Sequence, residues 1–219
     1  MYFFFVVSKL VLCDSIPKYV TNIKSTQIQP YPGINIDRLK DRIAFRDIKV
    51  TGYKAILLHV GTNDVPPYRD HRSQQCITST IDSVVSNYSH LISVIRRYNS
   101  NCIIIISAII HRPVDFVQTH FRVKAINQGL QRLCENSSNL IFNPTYKFFL
   151  HKGQPESQYY ARDRLHLKGH GVLRIQQAFQ QALSDTNLRK ANHWRRSSTK
   201  GKAKGRPGRL TPSQAVQKP

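Results

Sequence analysis

Short apolar runs alternate with segments of helical period along most of this chain. Five stretches are predicted as strands, the least apolar being the second: Phe3–Cys13, Thr26–Gln29, Ala55–Val60, Cys102–Ala108 and Leu140–Asn143. The run Cys102–Ala108 is nearly continuous isoleucine, which is typical of a strand buried on both faces. Strands that alternate with helices in this way predict an α/β fold with a mainly parallel sheet covered by helices.

Helices are predicted between these strands and after the last one. A short helix is expected after the first strand, with Ser15 as its cap and Pro17 in its first turn. Asn35 can cap a second helix whose apolar residues, Ile36, Leu39 and Ile43, fall at helical spacing. Three longer helices are predicted near Ile77–Tyr98, Val123–Leu133 and Lys168–Leu183. At 219 residues the chain is long enough for one full domain, which we assign to residues 1–185.

Charge is distributed unevenly along the chain. The net charge is +21, and the segment Leu188–Pro219 holds ten Lys or Arg residues and no Asp or Glu. Residues 186–219 are therefore predicted as a disordered basic tail, because they lack the apolar residues of a core. Such a tail favours polyanions, nucleic acid first and anionic membrane second, while a solvated tail without a partner is the alternative. Its candidate phosphate contacts are Arg195, Arg196, Lys200, Lys202, Lys204, Arg206 and Arg209.

The cysteines and the N-terminal run bear on the cellular compartment. Four cysteines lie far apart, without a C-x-x-C pair, which favours a reduced intracellular protein, cytoplasmic or nuclear. The apolar N-terminus lacks a basic region before it and is interrupted by Ser8-Lys9, so we interpret it as a strand rather than a targeting segment. No apolar run is long enough to span a bilayer.

Polar residues with chemical potential follow the predicted strands. Ser15 comes directly after the first strand, Gly61-Thr62-Asn63-Asp64 follows a middle strand, and Asp163 and His166 precede the final helix. In open α/β sheets ligands bind at the carboxyl edge, where such residues meet. A serine, an amide and an Asp-x-x-His pair can supply a nucleophile, an oxyanion donor, a general base and the group that orients the base.

Each of these residues also has a purely structural interpretation. Ser15 can be a helix cap, Asn63 a turn residue that stabilises its own loop, and Asp163 with His166 a loop-stabilising pair. His166 and His170 are four residues apart, but no further ligand type lies nearby, so no metal and no cofactor is predicted.

The combination of these motifs indicates a protein family more specifically than any single motif does. Asp14-Ser15, Gly33, Gly61-x-Asn63-Asp64 and Asp163-x-x-His166 resemble the four motif blocks of the SGNH hydrolases, also called GDSL esterases, over about Leu10–Leu183. The chain is especially similar to small SGNH-type domains of invertebrate genomes, some within non-LTR retrotransposons. The resemblance implies a flavodoxin-like three-layer α/β/α sandwich with a five-stranded sheet.

The resemblance also implies a reaction. Ser15 would attack an ester carbonyl, with His166 as the base and Asp163 as its orienting group. The backbone N–H groups of Ser15 and Gly33 and the side-chain amide of Asn63 would form the oxyanion hole. The expected substrate is a small or polymer-linked ester with a short acyl group such as acetyl.

One position departs from the family pattern. Cys13 stands where the first block has glycine, and a thiol at the strand end could displace Ser15, whose placement strongly affects catalysis. The alternative function is therefore a catalytically weak or inactive SGNH-like domain that binds nucleic acid. A degenerate mobile-element remnant without activity is a third interpretation.

Overall fold

A computed structural model describes residues 7–65, 74–135, 137 and 139–200 of the chain, with only the helical backbone described for residues 74–80 and 185–200. The chain divides into two units, Met1–Ser184 and Asp185–Pro219. The first unit contains the sheet and all the residues of the candidate site.

The first unit is built on a parallel sheet of five strands in the order β2-β1-β3-β4-β5. The strands are β1 (Lys9–Cys13), β2 (Thr26–Pro30), β3 (Ala55–His59), β4 (Ile103–Ser107) and β5 (Leu140–Asn143). All four pairings are parallel, so every strand ends at the same edge of the sheet. This strand order is that of flavodoxin-like folds, in which ligands bind where the order reverses, between β1 and β3. The predicted fold class is confirmed.

Helices cover both faces of the sheet. They are α1 (Ile36–Ala44), α2 (Gln74–Tyr98), α3 (Phe116–Glu135) and α4 (Gly169–Lys200). Side chains alternate along each strand, so that Leu10 and Leu12 join a hydrophobic cluster with α1, α2 and α3. Val11 and Cys13 point to the other face, where the cluster includes Phe179 of α4. The result is a three-layer α/β/α sandwich.

The prediction of a helix after Ser15 is wrong. Ile16–Tyr19 form turns closed by two hydrogen bonds, from Lys18 N–H to the Ser15 carbonyl (3.4 Å) and from Val20 N–H to the Pro17 carbonyl (2.9 Å). Only twelve residues connect β1 to the adjacent parallel strand β2, so the chain must turn back after a single turn. Two residues of this connection, Asn22 and Ser25, have a positive φ (+57° and +55°).

Several element boundaries also differ from those predicted. β1 begins at Lys9, and residues 3–6 of the expected first strand lie outside the described residues. α3 begins at Phe116 rather than near Val123, because its first turns expose Val117 and Phe121 (78% and 74%) and so lack the apolar period. The segment after β5, for which no strand was predicted, contains a short hairpin of β6 (Leu150–His151) and β7 (Gln154–Pro155).

The basic C-terminal segment remains a prediction. The backbone of α4 is helical to Lys200, beyond the predicted end at Leu183, and residues 201–219 lie outside the described part of the chain. Nothing therefore tests the disorder expected for residues 186–219. The candidate phosphate contacts are likewise untested: the side chains of Arg195, Arg196 and Lys200, and all of Lys202, Lys204, Arg206 and Arg209, lie outside the described structure.

Two sequence expectations about the chain as a whole can be compared with the structure. Cys13, Cys102 and Cys134 are free and buried, while the side chain of Cys76 lies outside the described residues. Within the searched residues, no helix combines the length and the apolar character needed to cross a membrane. The intracellular location stays a prediction.

Candidate active site

The carboxyl ends of β1 and β3 hold the Asp14-Ser15 block and the Gly61–Asp64 block side by side. The Asp14 N–H donates to the His59 carbonyl (3.0 Å), which continues the β1–β3 pairing one residue past the strand. On the other side of β1, the Tyr31 N–H donates to the Cys13 carbonyl (2.8 Å) and ties down the loop that carries Gly33.

Asp14 fixes the bend on which Ser15 lies. The Asp14 side chain is completely buried, and its Oδ1 accepts a hydrogen bond from the Ile16 N–H (3.0 Å) across Ser15. Burial raises the pKa of Asp14 to about 6, although hydrogen bonds from Ile16 and Thr62 oppose that rise. Ser15 is only partly buried, so its hydroxyl lies near the surface at the end of a strand.

The turn after β3 depends on a glycine. Gly61 has a φ of +112°, a conformation that favours glycine, and a Cβ there would lie 2.8 Å from Ile109 Cδ1, so the Ile109 side chain would have to shift. The following 3-10 helix, Thr62–Asp64, presents two side chains to the neighbouring loop. Asn63 Nδ2 donates to the Ile34 carbonyl (2.8 Å), and the Asp64 carboxylate accepts the Ile36 N–H (3.2 Å) at the start of α1.

These contacts leave three N–H donors available. Gly33, with a φ of +75°, is exposed, and a Cβ there would meet nothing within 4 Å. Among the described residues, no hydrogen bond engages the backbone N–H of Gly33 or of Ser15. Asn63 uses one hydrogen of its amide to reach Ile34 and retains the other. Unengaged donors on adjoining loops are what an oxyanion site requires.

Asp163 and His166 form a hydrogen-bonded pair, as predicted from their spacing. The His166 Nδ1 lies 2.7 Å from Asp163 Oδ2, while Asp163 Oδ1 accepts the N–H groups of Leu165 and His166 (3.0 Å each). The bond to His166, followed by the two N–H groups, lowers the pKa of Asp163 to about 2. A carboxylate at Nδ1 places the proton of a neutral imidazole on that nitrogen, so Nε2 keeps its lone pair and can act as a base.

The loop that carries this pair is fixed at both ends. The Ala161 N–H donates to the His166 carbonyl (2.7 Å), and the Val114 N–H donates to the Arg164 carbonyl (3.1 Å). Arg164 has a φ of +55°, which makes the tight turn between Asp163 and His166. The loop is thus attached to the segment that follows β4.

Arg112, in that segment, is a positioning residue that sequence reasoning missed. Its buried guanidinium donates to the Thr62 carbonyl (3.1 Å) and the Val65 carbonyl (3.2 Å), and it is ion-paired with Asp115. It therefore connects the Asn63 turn to the segment that holds the His166 loop. In the sequence it is one of many basic residues, distinguished only by its place before Pro113.

The contact between Ser15 and His166 is not formed in the structure. Within the described residues the Ser15 hydroxyl makes no hydrogen bond, although Ile16 and Leu167, the neighbours of the two residues, belong to the same hydrophobic cluster. Contacts of this kind are often long before substrate binds, so the triad stays a prediction. No group of three potential metal ligands was found among the described residues.

Cys13 is accommodated within β1. It is fully buried and pairs with β2 on one side and β3 on the other, and its Sγ lies 3.9 Å from the Gln29 carbonyl oxygen. Its backbone is extended rather than left-handed, so the conformation does not require glycine. Burial raises the pKa of its thiol, which keeps Cys13 protonated.

The motif blocks match a known family over most of the chain. The model of the GDSL-like lipase/acylhydrolase family matches residues 12–172, which include Ser15, Gly33, Asn63 and Asp163 with His166. The chain belongs to this family. The SGNH hydrolase assignment made from the motifs is therefore confirmed, and the protein is a hydrolase of the esterase class. No curated protein matches the chain in sequence.

Solved structures agree with the fold. A GDSL-like lipase from Bacteroides thetaiotaomicron has 13% sequence identity and a TM-score of 0.64, covering 82% of this chain and 89% of its own. A carbohydrate esterase family 3 structure from Talaromyces cellulolyticus and a mutant acetyl esterase with acetate ion each have 17% identity and a TM-score of 0.58. Each covers 84% of this chain and 98% of its own. At these identities the likeness concerns the fold.

Proposed function

We propose that the protein is a serine esterase that releases a short acyl group, such as acetyl, from an alcohol. The observation that carries the proposal is the Asp163–His166 pair, joined at 2.7 Å on a loop that starts the final helix. The unengaged N–H groups of Ser15 and Gly33, beside the Asn63 amide, add the second requirement. A lipase, a carbohydrate esterase and an acetyl esterase with this fold favour an ester and a small acyl group.

In the proposed reaction, Ser15 Oγ attacks the ester carbonyl carbon while His166 Nε2 takes the hydroxyl proton. The carbonyl oxygen becomes an oxyanion that accepts hydrogen bonds from Ser15, Gly33 and Asn63. When the intermediate collapses, His166 returns the proton to the leaving alcohol. Water then attacks the acyl-enzyme with His166 again as the base, which frees the acid and regenerates Ser15.

Hydrolysis of 4-nitrophenyl acetate tests the role of His166. Replacing His166 by Ala should lower kcat about 10³-fold or more, because the base is lost. His170→Ala is the matched control, since His170 is exposed at the start of α4, only four residues away. Equal turnover by the two variants would show that His166 is not the base.

A second candidate function is nucleic-acid binding, favoured by the net charge of +21 and the ten basic residues in Leu188–Pro219. Such binding would act mainly on phosphates, be largely independent of sequence and weaken steeply with salt. Fluorescence anisotropy with a labelled RNA tests it: deletion of Leu188–Pro219 should remove most binding while ester hydrolysis remains. Undiminished binding by the shortened chain would move the binding site to the folded unit and favour the non-catalytic alternative.

A further inference from the structure

A basic concavity borders the proposed oxyanion hole. It is lined by the loop Pro30–Ile34, which contains Gly33, and by Arg38 and Arg42 of α1. Its volume is about 290 Å³, comparable to the smaller ligand pockets of proteins. A group bound in it would lie next to Gly33 and hence close to the scissile ester.

The two arginines that line this concavity are four residues apart and therefore share one face of α1. Arg42 stacks on Tyr31 at 4.7 Å, and its nearest carboxylate oxygen, on Asp47, lies 3.9 Å from Nε. Arg38 has no ion pair within the described part of the chain. No carboxylate of the described residues therefore occupies the Arg38 guanidinium group, while stacking on Tyr31 limits the positions of Arg42.

The acidic residues of α1 do not neutralise the concavity. Asp37 and Asp41 instead pair with Lys40, at 3.0 Å and 3.6 Å from its Nζ. Asp37 also accepts a hydrogen bond from Asn87 of α2 (3.1 Å). Among the described residues, the counter-ion of the two arginines is therefore Asp47, which pairs with Arg42 at 3.9 Å.

We propose that Arg38 and Arg42 bind an anionic oxygen group, a carboxylate or a phosphate, on the ester substrate. The protein would then prefer esters that carry a negative charge near the scissile carbonyl. Guanidinium groups suit this role because their planar donors match the oxygens of carboxylate and phosphate. The inference rests on the proposed function, since Gly33 gives the concavity its position beside the reacting ester.

The experiment must separate local binding from general attraction, because the net charge of +21 draws anions to the whole surface. Arg97→Gln is the matched control. Arg97 is exposed in the last turn of α2 and does not line the concavity. That end of α2 lies at the opposite edge of the sheet, because Asn99 donates to the Val50 and Tyr53 carbonyls just before β3 begins (2.8 and 2.9 Å).

Three chromogenic esters give the readout as kcat/KM at low ionic strength. These are neutral 4-nitrophenyl acetate, mono-4-nitrophenyl succinate with a carboxylate in the acyl part, and 3-acetoxy-4-nitrobenzoate with one in the alcohol part. Arg38→Gln with Arg42→Gln should lower kcat/KM for at least one anionic ester about tenfold and leave the neutral ester within about twofold. Arg97→Gln should change the values for all three esters by less than about twofold.

Inhibition of neutral-ester hydrolysis by inorganic phosphate and by acetate, at equal ionic strength, identifies the preferred anion. The anion that inhibits the wild type more strongly, and no longer inhibits the double variant, identifies the group that the two arginines prefer, a carboxylate or a phosphate. The inference is overturned if neither anion competes, if the double variant treats anionic esters like the wild type, or if Arg97→Gln causes an equal loss. Ser15-dependent hydrolysis of the neutral ester would leave the proposed function intact in those cases, whereas its absence would overturn both.

Discussion

The Asp163–His166 pair can be tested by an isosteric change. In Asp163→Asn, the side-chain oxygen can still accept the N–H groups of Leu165 and His166, so the turn should be retained. The group facing His166 Nδ1, however, changes from a carboxylate oxygen to an N–H donor. The imidazole must then present a lone pair at Nδ1 and carry its proton on Nε2, where it cannot accept the proton of Ser15.

The size of the effect follows from the exposure of the pair. For a buried aspartate of this kind the change of tautomer costs about 10⁴ in kcat. Here the side chain of Asp163 is 50% exposed, so water can compete for Nδ1, and we expect a loss of about 10²–10³ in kcat. The pKa of Asp163 is lowered to about 2, so the stabilisation from its charge is present above the ordinary aspartate pKa and lost only as the pH falls towards 2. The carboxylate of Asp163 should therefore be ionised, and so able to orient His166, at both mildly acidic and neutral pH.

Steady-state hydrolysis of 4-nitrophenyl acetate measures this loss, with thermal unfolding as a check on folding. Asp163→Ala is the comparison, because it removes the acceptor for the two backbone N–H groups as well as for the imidazole. If Asp163 only stabilises its loop, the Ala variant will be unstable and the Asn variant will turn over like the wild type. Full activity of Asp163→Asn would refute the role given to the pair.

Three further predictions concern the Asn63 amide, the buried Asp14 carboxyl group and the glycines at the start of α4. Asn63→Ala should lower kcat about 10²–10³-fold, since one oxyanion donor disappears, and should lower the free energy of unfolding by about 1 kcal/mol, since one hydrogen bond is lost. Full turnover by this variant, or its unfolding, would contradict the prediction. Asp14 has a pKa raised from 3.8 to about 6, so the wild type loses stability as the pH rises through this interval. In urea denaturation, Asp14→Asn should therefore gain about 3 kcal/mol relative to wild type at neutral pH and little at about pH 4, and an equal change at both would count against a buried charge. Gly171→Ala should destabilise the fold by more than about 3 kcal/mol, because its Cβ would lie 2.2 Å from the Tyr159 carbonyl oxygen. Gly169→Ala is the control and should be neutral or stabilising, since a Cβ there meets nothing within 4 Å.

The sheet and its edge could be predicted because strong local signals coincided with the fold. The apolar run Leu140–Asn143 is strand β5 without a change of boundary, and Ala55–Val60 contains β3 and ends one residue later. Asn35 caps α1 as expected, accepting the Arg38 N–H at 2.9 Å. In a parallel sheet the carboxyl ends share one edge, so the motifs that directly follow β1 and β3 could be predicted to lie at that edge.

Other features depend on contacts that the sequence does not encode locally. The segment after Ser15 has the composition of a helix start, but the short connection to β2 allows only turns. Arg112 is chosen among many basic residues by the carbonyls of Thr62 and Val65, which only the folded sheet places beside it. The significance of Cys13 was also a matter of tertiary context, since an extended backbone paired on both sides accepts a side chain.

The central claim is that Ser15 is an activated nucleophile, and labelling with a fluorophosphonate probe tests it most directly. The probe phosphonylates a serine hydroxyl only when a base and an oxyanion hole assist the attack. We predict that the folded wild-type protein is labelled and that Ser15→Ala is not, while Ser184→Ala, at a serine of α4 outside the site, is labelled like the wild type. Absence of labelling in folded wild-type protein, or equal labelling of Ser15→Ala, would contradict the account.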